Sequence, residues 1–379
     1  MAVERMLTET PALAKAPLRL EHNNPLFAAL PTFNARIVDS LLEHGADPNS
    51  LNNDQMTVLH MHATYPPAPA VLETLLRHGA NPNAPSMDHV NKTFVYPAGF
   101  FNKDPKQLEA VVDAGADISR RDGMGYGALA RMSYMPEFVD LLCKKYKADP
   151  NECAADGTRP LSGHVQMPLH PDAVDKLLSY GADPYLPTVD AACIQLAPPV
   201  ATNRAPGLKS TARRRSPDNT PHFATLLCHA HDFRAMLDVM FKHNIDFSRK
   251  DADGNGILGH LIKRGCAGEL SFLVELIAHG ADIHATFDGK PLLYHLVDSS
   301  YAPAPFSRDG NDPARKLAFA FETLVAHGLD PYQPYAGFDD VFDYAESQTT
   351  DEAGVRRPRT AKFFKPFLDD WKAKHPKQK

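Results

Sequence analysis

The chain has 379 residues, of which 43% are hydrophobic and 23% charged, so it can bury a substantial core. Its net charge of -6 argues against broad electrostatic attraction to nucleic acid or to an anionic membrane, because both need a basic surface. The five cysteines include no C-x-x-C pair, so neither a zinc knuckle nor a closed disulfide framework is indicated. Reduced thiols in a cytoplasmic protein fit this pattern better.

The segment from Met1 to Leu20 contains no uninterrupted apolar run of the kind that a secretory signal needs. No other stretch approaches the roughly 18 consecutive apolar residues of a membrane-spanning helix. We therefore expect a soluble, cytoplasmic protein. Export as an effector without a classical signal peptide would leave the same pattern and stays open as an alternative.

One phrase recurs along the chain, beginning as paired apolar residues and ending as a turn. It first appears at residues 41–49 as Leu-Leu-Glu-His-Gly-Ala-Asp-Pro-Asn and next at residues 75–83 as Leu-Leu-Arg-His-Gly-Ala-Asn-Pro-Asn. Its Asp or Asn stands at positions 47, 81, 117, 149, 183, 246, 282 and 330, so eight copies are present. The spacing is 32 to 36 residues except for two steps of 63 and 48, which hold insertions. A repeat array is predicted.

The chemistry of the phrase is that of a helix end followed by a tight turn. Its Gly favours the left-handed conformation that ends a helix, and a Pro after the Asp prevents the helix from resuming. A looser opening phrase follows each turn, as in Gly289-Lys290-Pro291 before an apolar run. Pro is well tolerated at the first position of a helix. Each repeat is therefore predicted to be a turn, a short helix, a loop and a longer helix.

These opening and closing phrases resemble those of the ankyrin-repeat family over residues 22–346. The resemblance implies an all-α fold, an ankyrin-repeat solenoid of about eight helix-turn-helix units. Residues 1–21 would form an N-terminal flank, and residues 347–379 a C-terminal cap helix with a basic tail. The insertions fall at residues 186–218 and 299–313. The first is rich in Pro, Ala, Thr and Arg, which predicts an extended, mobile loop.

Several local patterns mimic catalytic or metal sites, but each has a simpler structural interpretation. The histidines at 44, 78, 243, 279 and 327 share one repeat position in the last turn of the long helix. The run from Cys228 to Asp232 offers metal-capable side chains, but a helix scatters neighbouring residues around its axis. The run from Asp251 to Ile257 resembles the start of a calcium loop, but Ile262 replaces its closing Glu. No catalytic residue, cofactor or metal is therefore predicted.

The resemblance implies a non-enzymatic module that binds a protein partner on a concave face and at its turn tips. No nucleic acid or membrane partner is expected, and the protein should be a monomer. The candidate contact residues are those of turn tips and first helices: Asn53, Met87, His89, Arg120, Arg121, Tyr126, Arg249, Lys250, Phe287 and Tyr335. Two alternatives stay open: an enzyme or small-ligand protein with a pocket under the 186–218 insertion, and a translocated effector that binds a host protein.

Overall fold

The computed structural model describes residues 2–16, 24–84, 104–122, 125–162, 170–189, 218–229, 232–263, 272–298, 313–349 and 359–377. Nearly all regular structure in these residues is helical, which confirms the all-α repeat solenoid. Two short strands, Pro187–Val189 and Asp218–Pro221, pair with each other. The chain divides into two compact units: unit 1 has residues 1–182 and 189–217, and unit 2 has residues 183–188 and 218–379.

Unit 1 repeats a pattern of a short first helix and a longer second helix. Its α-helices, labelled α1 to α9 in chain order, are Ala2–Glu9, Pro25–Ala29, Ala35–Glu43, Val58–His62, Pro69–Arg77, Pro105–Asp113, Ala128–Met132, Pro136–Asp140 and Pro171–Ser179. A π-helical segment, Leu141–Lys145, continues α8 directly. The 3-10 turns are Pro11–Lys15, Leu30–Thr32 and Pro160–Ser162.

Unit 2 repeats the same alternation of first and second helices. Its helices, labelled α10 to α17, are His222–His229, Phe233–Lys242, Ile257–Lys263, Leu273–Ala278, Leu292–Asp298, Pro313–Ala326, Val341–Thr349 and Arg359–Lys374. The last helix packs on α15 and α16, where the Phe321 ring contacts Phe364 at 6.1 Å and Trp371 at 5.3 Å. These contacts support the proposed C-terminal cap, because a terminal repeat must cover the apolar side of its neighbour.

Side chains at the helix starts explain where several of the helices begin. Asn34 accepts backbone N–H bonds at the start of α3, Thr57 does so at α4 and Asp232 at α11. Such caps satisfy N–H groups that have no partner within the helix. The first helix of the fourth repeat, α7, begins after Gly127 without a side-chain cap. The sequence directly before this helix contains neither a capping Thr nor a Pro.

The helix ends follow from the glycine of the closing phrase. Gly181 after α9 has a φ of 91°, a left-handed conformation that residues with a Cβ resist. Asn244 takes this place after α11 with a φ of 52°, and Lys147 after α8 with a φ of 58°. Lysine has no preference for this conformation, so the fourth turn holds backbone strain that the others avoid.

Three expectations from the sequence concern the insertions, membrane-spanning helices and the cysteines. Most of the two insertions, residues 190–217 and 299–312, lies outside the described residues. No helix among the described residues is long and apolar enough to cross a membrane.

Cys153 is disulfide-bonded, so the expectation of reduced thiols is wrong for this residue. By contrast Cys143 is a free, buried thiol, and its burial raises its pKa to about 12.

Candidate functional site

All eight turns of the closing phrase contain the same side-chain bond. The Asp or Asn side chain accepts a hydrogen bond from the backbone N–H two residues later, as Asp47 does from Asn49 at 2.8 Å. The other seven pairs are Asn81 and Asn83, Asp117 and Ser119, Asp149 and Asn151, Asp183 and Tyr185, Asp246 and Ser248, Asp282 and His284, and Asp330 and Tyr332. An Asp or Asn that bonds its own backbone in this way fixes a tight turn. The recurring Asp is therefore a structural residue.

A second side chain in the same phrase joins consecutive turns of unit 1. The Asn83 amide donates to the Gly115 carbonyl at 2.7 Å and accepts from the Asp117 N–H at 2.8 Å. Asn49 makes the same two bonds to the turn of the second repeat, at 3.0 and 2.7 Å. One amide supplies both a donor and an acceptor, so it can bridge two backbone groups. The turns are thereby held in register, and with them the hairpins that follow each turn.

Arg120 and Arg121 are exposed in the hairpin after the third turn, and both bond backbone carbonyls. Arg120 donates to the carbonyl of Asn83. Arg121 donates to the carbonyl of Gly125 at 2.9 Å and to that of Cys153 in the next hairpin. Because carbonyls carry no charge to neutralise a guanidinium, both residues combine a structural contact with an exposed positive charge.

Tyr126 was predicted as a contact residue of a turn tip or first helix, but its side chain is packed within the protein. Its ring is only 6% exposed and packs against Ala130 and Ala154. The hydroxyl donates to the Asp156 carboxylate, and the Arg131 guanidinium lies 4.2 Å from the ring centre. Tyr126 is therefore part of the hairpin core. The next repeat supplies a carboxylate that accepts the hydrogen bond of its hydroxyl.

The other predicted residues of unit 1 occupy the hairpin after the first turn and the segment after the second. Asn53 is exposed at the tip of a hairpin whose ends, Leu51 and Thr57, pair in an isolated antiparallel bridge. Met87 and His89 lie outside the described residues. No described contact in unit 1 joins the predicted residues into one patch.

In unit 2, Arg249 and Lys250 lie together in the hairpin that follows α11, and both are exposed. The Arg249 guanidinium lies 4.2 Å from the centre of the Tyr185 ring. The Lys250 ammonium is 3.2 Å from the Asp282 carboxylate. Both cations thus have partners within the unit, as expected for arginine over an aromatic face and for an exposed ion pair.

The next two hairpins of unit 2 are short and carry the other two predicted residues, Phe287 and Tyr335. Phe287 pairs with Lys290, and Tyr335 with Phe338, in isolated antiparallel bridges. The two central residues of each hairpin have positive φ: 50° and 72° in the first, 53° and 89° in the second. This is the two-residue turn whose twist matches that of paired strands, and glycine at its second position favours it.

Aromatic rings of these hairpins pack on the first helices α14 and α16 and stay partly exposed. The Phe287 ring lies 5.4 Å from His295, and the Tyr335 ring 5.1 Å from Tyr294. Phe338 packs in the same way, 5.0 Å from Tyr344. Tyr294 and Tyr344 in turn contact each other at 5.2 Å, so the rings of the second hairpin rest on a layer of two tyrosines.

Acidic side chains surround these rings. Within residues 285–298 and 330–344 there are six aspartates and one lysine. The ammonium of that lysine, Lys290, bonds Asp298 and the Tyr344 hydroxyl, so it neutralises an acid inside the layer. Burial, followed by the carboxylates of Asp340, Asp343 and Asp330, raises the pKa of the Tyr294 phenol to about 12. The hairpins therefore lie in a negative electrostatic field.

Four aspartates of this region are exposed and pair with no lysine or arginine of the described residues, and one of them, Asp330, anchors the preceding turn. Asp288 occupies the first turn position of its hairpin, and Asp339 and Asp343 flank the start of α16. We call the following set the aromatic hairpin face: Phe287, Asp288, Tyr335, Phe338, Asp339 and Asp343. The structure links the hairpins of Phe287 and Tyr335 through Lys290 and Tyr344, which sequence reasoning missed. The Phe-Asp-Gly-Lys and Tyr-Ala-Gly-Phe runs could have revealed both hairpins, since such turn dipeptides between strand residues predict them.

The metal-like patterns have structural explanations where the residues are described. The buried carboxylate of Asp251 accepts from two backbone N–H groups, from the Asn255 amide and from the His260 ring at 2.8 Å. With these donors around it, the carboxylate is occupied as a turn anchor. The side chains of Cys228, His229 and His231 lie outside what is described. The described residues contain no group of three or more metal-capable side chains placed to hold an ion.

The recurring histidines close the ends of long helices. The Nδ1 of His44, His279 and His327 bonds the carbonyl four residues earlier at 2.7 to 2.8 Å. Last-turn carbonyls otherwise have no partner within the helix. His78 instead bonds the Asp39 carboxylate of the preceding long helix at 2.7 Å.

Repeated helix pairs, left-handed closing residues, turn-anchoring aspartates and hairpins define a helical repeat array. Their order and 32 to 36 residue spacing identify the repeat as the ankyrin type, so the resemblance is confirmed for the fold. No protein-family model matches the chain, and no curated protein matches it.

Two solved ankyrin structures are similar to this chain. The ankyrin repeat domain of Bcl-3, described as a unique member of the IkappaB protein family, has 20% sequence identity and a TM-score of 0.42. That match covers 72% of this chain and 94% of the Bcl-3 chain. The human ASB11 ankyrin repeat domain has 14% identity and a TM-score of 0.45, covering 62% of this chain and 90% of the ASB11 chain. The fold assignment stands on the repeat geometry of this chain itself.

Proposed function

We propose that this chain is a non-enzymatic module that binds a protein partner through its hairpin tips and first helices. The observation that carries the proposal is the aromatic hairpin face of unit 2. Its three rings are partly exposed, and they sit on a rigid layer formed by α14 and α16. Aromatic side chains that are rigid and partly exposed are typical anchors of protein interfaces.

The packing beneath the face supports this function. Tyr294 is 2% exposed, and its hydroxyl donates to the Gln333 carbonyl at 2.7 Å, which ties α14 to the second hairpin. The hairpins are therefore positioned before any partner arrives. Binding then loses less side-chain entropy than it would on a mobile loop.

The rival function is an enzyme or small-ligand protein with a pocket under the 186–218 insertion. Residues 190–217 of that insertion lie outside the described residues. Among the residues that are described, the buried carboxylate of Asp251 serves a turn and the buried carboxylate of Asp340 accepts from the Asp343 N–H at the start of α16. The binding proposal therefore has the observed surface in its favour. The same surface would serve a translocated effector or a resident cytoplasmic protein.

Affinity capture from an extract of the protein's own cells tests the proposal. The intact chain should retain a discrete protein partner, and the Tyr335→Ser variant should retain much less of it. Phe319→Ser is the matched control, because Phe319 is an exposed aromatic residue, 41% accessible, on the second helix α15. We expect Phe319→Ser to capture as much partner as the unmodified chain.

Melting curves recorded by circular dichroism show whether both variants keep the fold. Equal loss of the partner from the two variants would contradict a role of the hairpins. The absence of any specific partner from the intact chain would contradict the binding function itself.

A further inference from the structure

We propose that the aromatic hairpin face binds an extended segment of a partner protein that carries lysine or arginine side chains. This inference rests on the proposed binding function and names the chemistry of the partner. The rings would hold the aliphatic stems of the basic side chains, and the exposed aspartates would bind their charged ends.

The negative charge of the face favours a partner with basic side chains. Asp288, Asp339 and Asp343 are exposed and lack an ion-pair partner among the described residues. Lys290 bonds Asp298, Lys372 lies 3.1 Å from Asp340 and the Lys377 ammonium lies 5.8 Å from the Tyr332 ring centre, so none of these lysines pairs with the three aspartates. A partner that brings positive charge would complement this field, and one that brings negative charge would be repelled.

The alternation of rings and carboxylates also favours basic side chains. Phe287 is followed directly by Asp288, and Phe338 by Asp339, so each hairpin presents a ring beside an acid. Lysine and arginine have an apolar stem and a cationic end, and they suit a surface where both features adjoin. Cations also bind favourably over aromatic faces.

The protein itself shows the same combination of groups. The Lys290 ammonium lies 5.0 Å from the Tyr344 ring centre while it pairs with Asp298. The Lys372 ammonium lies 4.9 Å from the Phe342 ring centre while it pairs with Asp340. Both internal contacts use a ring and a carboxylate together, which is the recognition that we infer for the exposed set.

The position of the face on two consecutive repeats favours an extended segment of the partner. Its two hairpins belong to consecutive repeats, and Lys290 of the first hairpin bonds the hydroxyl of Tyr344, whose ring packs against Phe338 of the second. A chain in extended conformation exposes alternate side chains on one side, so successive basic residues can reach successive hairpins.

Fluorescence anisotropy with a labelled basic peptide tests the inference on the full chain. The probe alternates arginine and serine over about twelve residues, which gives a reach of roughly 40 Å when extended. A peptide of alternating glutamate and serine serves as the opposite-charge control. We expect the basic probe to bind with an affinity that falls as salt is added, and the acidic one not to bind.

A triple variant, Asp288→Asn with Asp339→Asn and Asp343→Asn, should raise the Kd for the basic probe about tenfold, since three exposed ion pairs are lost. Asparagine keeps the shape of aspartate and tolerates the left-handed turn position of residue 288, whose φ is 50°. A matched control removes three exposed glutamates of second helices, as Glu73→Gln with Glu137→Gln and Glu322→Gln. It changes the net charge equally and should alter the Kd by less than about twofold.

Equal weakening in the two triple variants would overturn the inference, because net charge alone would then explain the binding. Failure of the unmodified chain to bind the basic probe would overturn it as well. Should the aspartate variant fold poorly, a photoactivatable benzophenone on the probe decides the question on the unmodified chain. Cross-links within residues 285–290 and 335–343 support the inference, and cross-links elsewhere refute it. If the hairpins capture a partner protein but do not bind the basic probe, the proposed binding function stands. Only the inferred chemistry of the partner would then be wrong.

Discussion

Acidification should destabilise unit 1 through one buried histidine, His62. This residue lies on α4, is 2% exposed, and bonds the Ala68 carbonyl through Nε2 at 3.3 Å. Burial lowers its pKa from 6.5 to about 4, although the bond to Ala68 opposes the shift. The folded chain therefore keeps the ring neutral at pH values where the unfolded chain protonates it.

The sign and size of the effect follow from proton linkage. Between pH 6.5 and pH 4 the unfolded state binds the additional proton, so stability falls as the pH falls through this window. From pH 7.5 to pH 5, the two pKa values give a loss of about 2 kcal/mol from this ring alone. Above about pH 7.5 the contribution should be constant, because the ring is then neutral in both states.

Denaturant unfolding of the unmodified chain and of His62→Gln, each at pH 7.5 and pH 5, measures the effect. Other titrating groups act alike in both proteins, so the difference between the two losses isolates His62. We expect the unmodified chain to lose about 2 kcal/mol more than the variant. Equal losses would refute the argument, because the ring would then titrate freely in the folded state.

Three further substitutions test the turns. Gly181→Val should destabilise unit 1 by about 1 kcal/mol or more in thermal unfolding, because the left-handed conformation is costly for a β-branched residue, and an unchanged melting temperature would contradict it. Lys147→Gly should stabilise the same unit by about 1 kcal/mol in denaturant unfolding by removing strain at a φ of 58°, a result that a loss of stability would rule out. Asn83→Ala should cost about 1 to 3 kcal/mol in denaturant unfolding, since two bonds to the next turn are lost, and an unchanged free energy of unfolding would contradict it.

The helix ends could be predicted from the sequence because their causes are local. Gly181 ends its helix through its own backbone freedom, and Asp183 bonds an N–H only two residues away. Local rules even located the turn in which Lys147 replaces glycine. Only its positive φ had to be seen in the structure.

The contacts between repeats could not be predicted in the same way. Tyr126 looked like an exposed turn residue because its partner, Asp156, lies thirty residues further along the chain. The function of Asn83 was missed for the same reason, since both of its partners belong to the next turn. Asn83 does recur at one position of the closing phrase, as Asn49 and Asn151 do, but the phrase alone does not show which backbone groups of the next turn it bonds.

The aromatic hairpin face was predicted in part. Phe287 and Tyr335 were selected as aromatic residues at turns, and both lie in it. Asp288 and Asp339 were overlooked, because their significance depends on which cations remain available nearby. Lys290 and Lys372 are both engaged elsewhere, a fact that only the folded chain reveals.

Site-specific photocross-linking inside the protein's own cells tests the central claim most directly. A benzophenone amino acid would be placed at position 335, in the second hairpin of unit 2, and at position 319, on the second helix α15, in separate chains. The account predicts a discrete protein adduct from position 335 and none from position 319. Adducts from position 319 alone, or none from position 335 while the chain remains folded, would contradict it.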